Sequence, residues 1–256
     1  MARFHVGIQI QPQHTSMDAL RDAWRQADDM GVDSIWTWDH FFPLYGEPDG
    51  PHFEGWLTLA TMAADTSSAR VGMLVTGNTY RNPDLLADMG RTLDHISGGR
   101  AYLGLGAGWF ERDYDEYGYE FGTAGSRLRA LEDSLQRIRA RLGRLEPGPV
   151  GEMPILLGGG GEKVTLRLVA QYADAWNTFG PPENFAHKCE VLDEWCSKIG
   201  RDPAEIERTV AISGGEVSSV DAYLEAGATH VILMQGAGGG VFDLTDLQRL
   251  LEARDA

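Results

Sequence analysis

Eight times along this chain a short apolar run is followed by a stretch of helical period, and that alternation limits the fold more than any other feature. Phe4–Ile10 reads as a first strand and Ser16–Met30 as its helix, with Ser16 as cap and Gly31 as terminator. Ser34–Trp38 is a second strand, leading through Asp39–Gly55 to a helix around Trp56–Ala64. Arg70–Thr76 is the third; its helix starts at Pro83, runs to about Ile96 and is closed by Gly98-Gly99. Ala101–Gly106 is the fourth, with a loop to Gly122 and a long amphipathic helix over Ala124–Leu142. Pro154–Leu157, Ala175–Thr178, Thr209–Ser213 and His230–Met234 complete the set. Their helices run through Tyr172, over Glu183–Ile199, near Val217–Ala226 and over Leu244–Ala253. Strands alternating with helices make a parallel sheet, and eight such units close a (β/α)8 TIM barrel. No linker or composition break divides the chain, so residues 1–256 read as one domain, a length typical of that barrel.

Composition excludes several classes. A net charge of −16 argues against a nucleic-acid partner, whose phosphates need clustered Lys and Arg. No segment has the apolar length to cross a bilayer, and no basic region or apolar stretch of signal-peptide type opens the chain. Cys189 and Cys196 fall on one face of a helix two turns apart, a separation on the order of 10 Å that no disulfide spans. Free thiols fit a reducing, cytoplasmic setting. No metal site is assigned from the sequence.

In such barrels chemistry gathers at the C-terminal ends of the strands. After the second strand stand Asp39 and His40 among Trp36, Trp38, Phe41 and Phe42, an acid and an imidazole walled by aromatics. That set suits proton transfer beside a flat ligand, though Asp39 as a turn cap and His40 as packing is the plainer account. After the third strand comes Leu74-Val75-Thr76-Gly77-Asn78, where a sharp bend or bulge could expose amides. After the fourth comes Gly104-Leu105-Gly106-Ala107-Gly108-Trp109, whose alternating glycines either admit a flat ligand or pack the barrel tightly. After the fifth come four glycines, Gly158–Gly161, with a helix starting at the last of them. Glycine amides at a helix N-terminus favour a phosphate. Trp38, Phe41, Phe42, Leu44, Tyr45, Trp109 and Phe110 form an aromatic, apolar substrate wall.

These segments resemble the bacterial luciferase-like superfamily, in particular its branch that uses the deazaflavin coenzyme F420. The resemblance rests on Trp38–Phe42, Leu74–Pro83, Leu93–Arg100 with its Ser-Gly-Gly-Arg, Gly104–Phe110, and Met153–Asn177. It covers most of Phe4–Thr209. It implies F420 across the top of the barrel, its ring against Leu74, Val75, Thr76 and Gly77, where relatives carry a non-proline cis peptide. Gly106, Ala107 and Gly108 would line the other edge, and Gly160, Gly161 and Thr178 would hold the phosphate. A histidine matching His40 is catalytic in sugar-phosphate dehydrogenases of the branch, and an acid matching Asp39 contacts the coenzyme. The implied reaction is hydride transfer between F420 and a small organic substrate. Relatives often form homodimers, which implies one here. Those dehydrogenases carry glutamate at Trp109, tryptophan at Leu44 and a lysine at Pro181, so their substrate is not expected. Gly143–Glu152 is short where relatives carry a longer segment, often a lid, which implies an opened pocket. Two other functions share this barrel: oxygenation with reduced FMN, and flavin binding without catalysis.

Overall fold

The computed structural model describes residues 3–256. Among them nine parallel strands are found: β1 (His5–Ile10), β2 (Ser34–Thr37), β3 (Arg70–Met73), β4 (Thr76–Gly77), β5 (Ala101–Gly106), β6 (Ile155–Gly158), β7 (Ala175–Thr178), β8 (Glu207–Ile212) and β9 (His230–Gln235). β1 pairs with both β2 and β9, and β5 pairs with both β3 and β4, so the sheet closes on itself. β3 and β4 are two pieces of one stave, broken at the cis peptide Leu74-Val75. Eight staves therefore form the barrel, and the strand expected over Arg70–Thr76 is corrected to two segments. The break follows from Leu74: its N–H still bonds Thr37 on β2, while its carbonyl turns away to accept from the buried Gln9 amide at 2.7 Å.

The helices are α1 (Met17–Asp29), α2 (Gly55–Asp65), α3 (Pro83–Ser97), α4 (Glu111–Tyr117), α5 (Ala124–Leu142), α6 (Thr165–Tyr172), α7 (Pro182–Ile199), α8 (Val220–Glu225) and α9 (Thr245–Asp255). Their ends follow local chemistry. Ser16 Oγ accepts from Ala19 N at 3.2 Å, Asn82 caps α3 beside Pro83, and Gly98 ends it in the left-handed region at φ 69°. Two expectations fail. α4 forms within the stretch to Gly122 expected as loop, and α6 starts at Thr165 after a turn rather than at Gly161.

The staves are buried along nearly their whole length because helices cover the outer face and side chains fill the lumen. Trp36, Leu74, Tyr102, Leu156, Ala175 and Ile232 plug the interior, with the Trp36 and Tyr102 rings 4.9 Å apart. The wider core lies between staves and helices. Leu74 tops the plug and floors a cavity at the C-terminal mouth. Gly143–Glu152 lies at the other end, where Val150 N and Gly151 N bond the Asp94 carboxylate near the start of β5. An αβ connection there cannot cover the mouth, so its brevity does not open the pocket. No helix among the described residues is long and apolar enough to cross a membrane.

Candidate active site

The mouth holds a cavity of ≈440 Å³. Trp38, Asp39, His40, Leu44, Leu74, Val75, Thr76, Gly77, Gly106, Ala107, Gly108 and Trp109 all line it, joined by Gln9, Tyr80, Gly159 and Thr165. Phe41 does not. Its ring stacks on Tyr117 at 4.2 Å and lies 4.8 Å from Tyr80, so it belongs to the packing behind the wall. Gly160, Gly161 and Thr178 also stand outside this space, at its edge beyond Gly159 and Thr165.

The glycines of β5 and the last residue of β6 serve a nearer neighbour than a ligand. A Cβ on Gly104 would collide with the Met73 carbonyl oxygen, and one on Gly106 would come 2.5 Å from Val75 Cγ2. A Cβ on Gly158 would meet Val75 Cγ1 at 3.0 Å. The bulge is thus seated in a trough of missing side chains, and Val75 is what faces the lumen. Thr76 beside it keeps Oγ1 buried without a hydrogen-bond partner among the described residues.

His40 is fixed by a residue that sequence reasoning missed. Its Nδ1 lies 2.7 Å from Asp113 Oδ2 on α4, and Asp113 Oδ1 accepts from Phe41 N at 3.0 Å. Tyr80 donates to the same Oδ2 at 2.8 Å, and burial beside that carboxylate holds its phenol protonated, well above the usual range. Asp113 is fully buried and has no cation partner among these contacts. A buried carboxylate that receives three hydrogen bonds holds the imidazole in the Nδ1–H tautomer, leaving Nε2 as the basic atom. Trp38, Trp109 and Phe110 stand edge-on to the ring at centroid distances of 6.0, 5.7 and 5.5 Å.

Asp39 does something else. Arg81 grips it with two bonds of 2.5 and 2.9 Å, and Gly77 N donates to it at 3.0 Å. Burial pushes its carboxyl up to about 6, against the opposing pull of Arg81. With both oxygens committed, Asp39 ties the end of β2 to the strand after the bulge. It does not orient His40.

Beyond Thr165, the corner gains a cation. A Cβ on Gly160 would lie 3.0 Å from Thr178 Oγ1 and 3.7 Å from Lys188 Cε on α7. Lys188 Nζ rests 2.5 Å from Glu162, whose carboxyl it lowers. The N–H groups of Gly160 and Gly161 have no acceptor among the described residues.

The loop over the site is pinned by His52, whose Nε2 accepts from Trp38 Nε1 at 3.0 Å with the two rings nearly coplanar. Burial lowers its pKa to about 4. A base depressed in the fold binds fewer protons than in the unfolded chain, so its contribution is complete above about 6.5 and is lost as pH falls towards 4. The urea midpoint should fall across that window, and His52→Gln, which keeps an acceptor for Trp38, should flatten that part of the slope. An unchanged slope would show that His52 is protonated at no cost to the fold.

A parallel barrel whose C-terminal mouth joins a bulged stave, an aromatic-walled imidazole and a glycine corner is a ligand-binding scaffold with its cavity where such barrels carry their sites. The family model for luciferase-like monooxygenase matches residues 1–214, and the chain belongs to that family. A 5,10-methylenetetrahydromethanopterin reductase of Methanolobus tindarius is 26% identical over 89% of this chain and 73% of its own length. A 4-hydroxyprotoasukamycin monooxygenase of Streptomyces nodosus subsp. asukaensis is 27% identical over 82% of this chain. The match spans 62% of that relative, under two thirds of its length. An F420-dependent secondary alcohol dehydrogenase in complex with an F420-acetone adduct shares the fold. Its TM-score is 0.84 at 18% identity, over 98% of both chains.

Proposed function

We propose that this barrel is an F420-dependent oxidoreductase acting on a small organic substrate. The observation that carries the reading is that Nε2 of an Asp113-fixed His40 shares one cavity with the Val75 bulge. The residues suit the coenzyme. The unpartnered Thr76 hydroxyl offers a polar contact to the edge of a ring, and the Gly160 and Gly161 amides with Thr178 and Lys188 offer a phosphate cradle. Lys188 there answers for the lysine that relatives carry at the position of Pro181. When bound, F420 supplies two-electron hydride chemistry at a ring carbon. His40 Nε2 gives or takes the accompanying proton, Asp113 stabilises the imidazolium that results, and Trp38, Trp109 and Phe110 keep water from the ring. Asp39 holds the bulge in place through Gly77 N. Two copies would pair through α2 and α3, which present Leu57 and Leu85 to solvent.

A type II Baeyer-Villiger monooxygenase solved in complex with FMN shares the fold at a TM-score of 0.67 and 19% identity, which supports FMN as a second reading. Titration with each coenzyme, followed by quenching of the tryptophans, separates the two. F420 should bind more tightly, and Lys188→Met should weaken it about tenfold by removing one charge-assisted contact. Tighter binding of FMN would replace the first reading with the second. Full F420 affinity in Lys188→Met would take Lys188 out of the phosphate cradle.

A further inference from the structure

The opposite end of the barrel carries a second built site. There His5 at the start of β1, Glu207 at the start of β8 and His230 at the start of β9 bring three ligand atoms within 4.8 Å of one another. His5 and His230 are register partners on neighbouring strands, so the barrel's own hydrogen bonding sets two imidazoles side by side, ring centroids 5.7 Å apart. Glu207 Oε1 lies 3.0 Å from His230 Nδ1 and 3.7 Å from His5 Nδ1.

We propose that His5, Glu207 and His230 bind a divalent transition-metal ion of the zinc type. Two imidazoles and one carboxylate are a ligand set that such ions accept, with remaining positions open to water. Two of the three ligands are already oriented by partners on their far side. His230, buried, places Nε2 2.8 Å from Ser34 Oγ, which itself accepts from Trp36 Nε1 at 2.6 Å. Without an ion, His230 Nδ1 donates to Glu207 Oε1 at 3.0 Å and Nε2 accepts from the Ser34 hydroxyl; binding an ion would move the imidazole proton to Nε2, donating to Ser34, and turn the Nδ1 lone pair to the metal. The Tyr102 hydroxyl donates to Glu207 Oε2 at 2.8 Å, so Oε1, which now accepts from His230, is the oxygen an ion would take in place of that proton. Metal-binding histidines and carboxylates are held in this way, and the holding partners sharpen affinity. His5 is the exposed ligand, free to turn inward.

The surroundings favour a cation. The three residues open on a cavity of ≈740 Å³ that also presents Asp33, Glu152, Asp174 and Glu205, opposed by Arg70 alone among lysines and arginines. An ion at this point would clamp β1 to β9 and β8, across the seam where the first and last staves close the barrel. It would not touch the mouth, so it stands apart from the coenzyme reading.

The test uses the full chain expressed without a polyhistidine tag, stripped with chelator and titrated with zinc chloride by calorimetry. One ion per chain is expected, together with a rise in the thermal midpoint on adding zinc. His5→Ala and His5→Gln, both at an exposed position that leaves the core intact, should weaken binding at least about tenfold and abolish the thermal shift. Cobalt(II) should give visible bands in the wild-type chain that both variants lose. No heat of binding, or zinc affinity and cobalt bands unchanged in the His5 variants, would overturn the site.

Discussion

Exchanging Asp113 for asparagine is expected to leave the barrel folded yet slow turnover by about two orders of magnitude or more. The amide oxygen can still accept from Phe41 N, as Oδ1 does now at 3.0 Å. The amide nitrogen would face His40 Nδ1 and the Tyr80 hydroxyl where a carboxylate oxygen now accepts from both. A donor at that position favours the tautomer with the proton on Nε2, removing the lone pair that faces the cavity and the charge that stabilises an imidazolium. Two measurements check this. Nitrogen chemical shifts of the His40 imidazole should report the switched tautomer, and kcat with any substrate the wild-type chain turns over should fall across the pH range. Asp39→Asn is the contrasting variant: it loosens the Arg81 clamp and lowers stability, but leaves the His40 tautomer as it was. Wild-type kcat in Asp113→Asn would remove the imidazole from proton transfer.

Gly104→Ala should be among the most damaging single-methyl changes in the chain. The added carbon has no side chain to push aside, because what it meets is the Met73 carbonyl oxygen on the neighbouring stave. Relief requires β3 to move off β5, which disturbs the bulge and the cavity floor together. A loss of about 3 kcal/mol or more is expected, at the upper end of overpacking effects. For a domain of this size that lowers the thermal midpoint by about 6–12 °C. Gly125→Ala, where the new carbon would find only ordinary contacts at 3.6 Å and beyond, is the control and should change little. A midpoint within 2 °C or so of the wild type in Gly104→Ala would mean that the trough yields easily.

Much of this was legible because barrel staves and their helices are local signals. Apolar runs, Ser16, Asn82-Pro83 and Gly98 declare strands, starts and stops within a few residues of themselves. The site residues at stave ends were legible for the same reason, since position in the repeat implies position at the mouth. What failed was long-range or contextual. Asp113 lies 73 residues from His40, and nothing in Glu111–Tyr117 distinguishes one acid from its neighbours until the helix is placed. Lys188 is likewise brought to Gly160 only by the packing of α7. Arg81 was in view within Tyr80-Arg81-Asn82-Pro83, but its claim on Asp39 was not. The Ser-Gly-Gly-Arg phrase that carried the family resemblance proves structural. Arg100 donates to carbonyls of Ala63, Thr66 and Ala69, closing the end of α2 against the start of β3. The alternating glycines at the end of β5 illustrate a further ambiguity, because a face cleared of side chains looks the same in sequence whether backbone or ligand will occupy it.

Tyr45 and Phe179 stand more than half exposed around the mouth, on connections that follow two different staves. Each can be exchanged without disturbing a hydrogen bond to the Asp113 pair, the Arg81 clamp or the glycine corner. Selectivity and reaction chemistry are therefore separable in this barrel. Mutational drift at the collar could retune which molecules enter while the machinery beneath it is inherited unchanged.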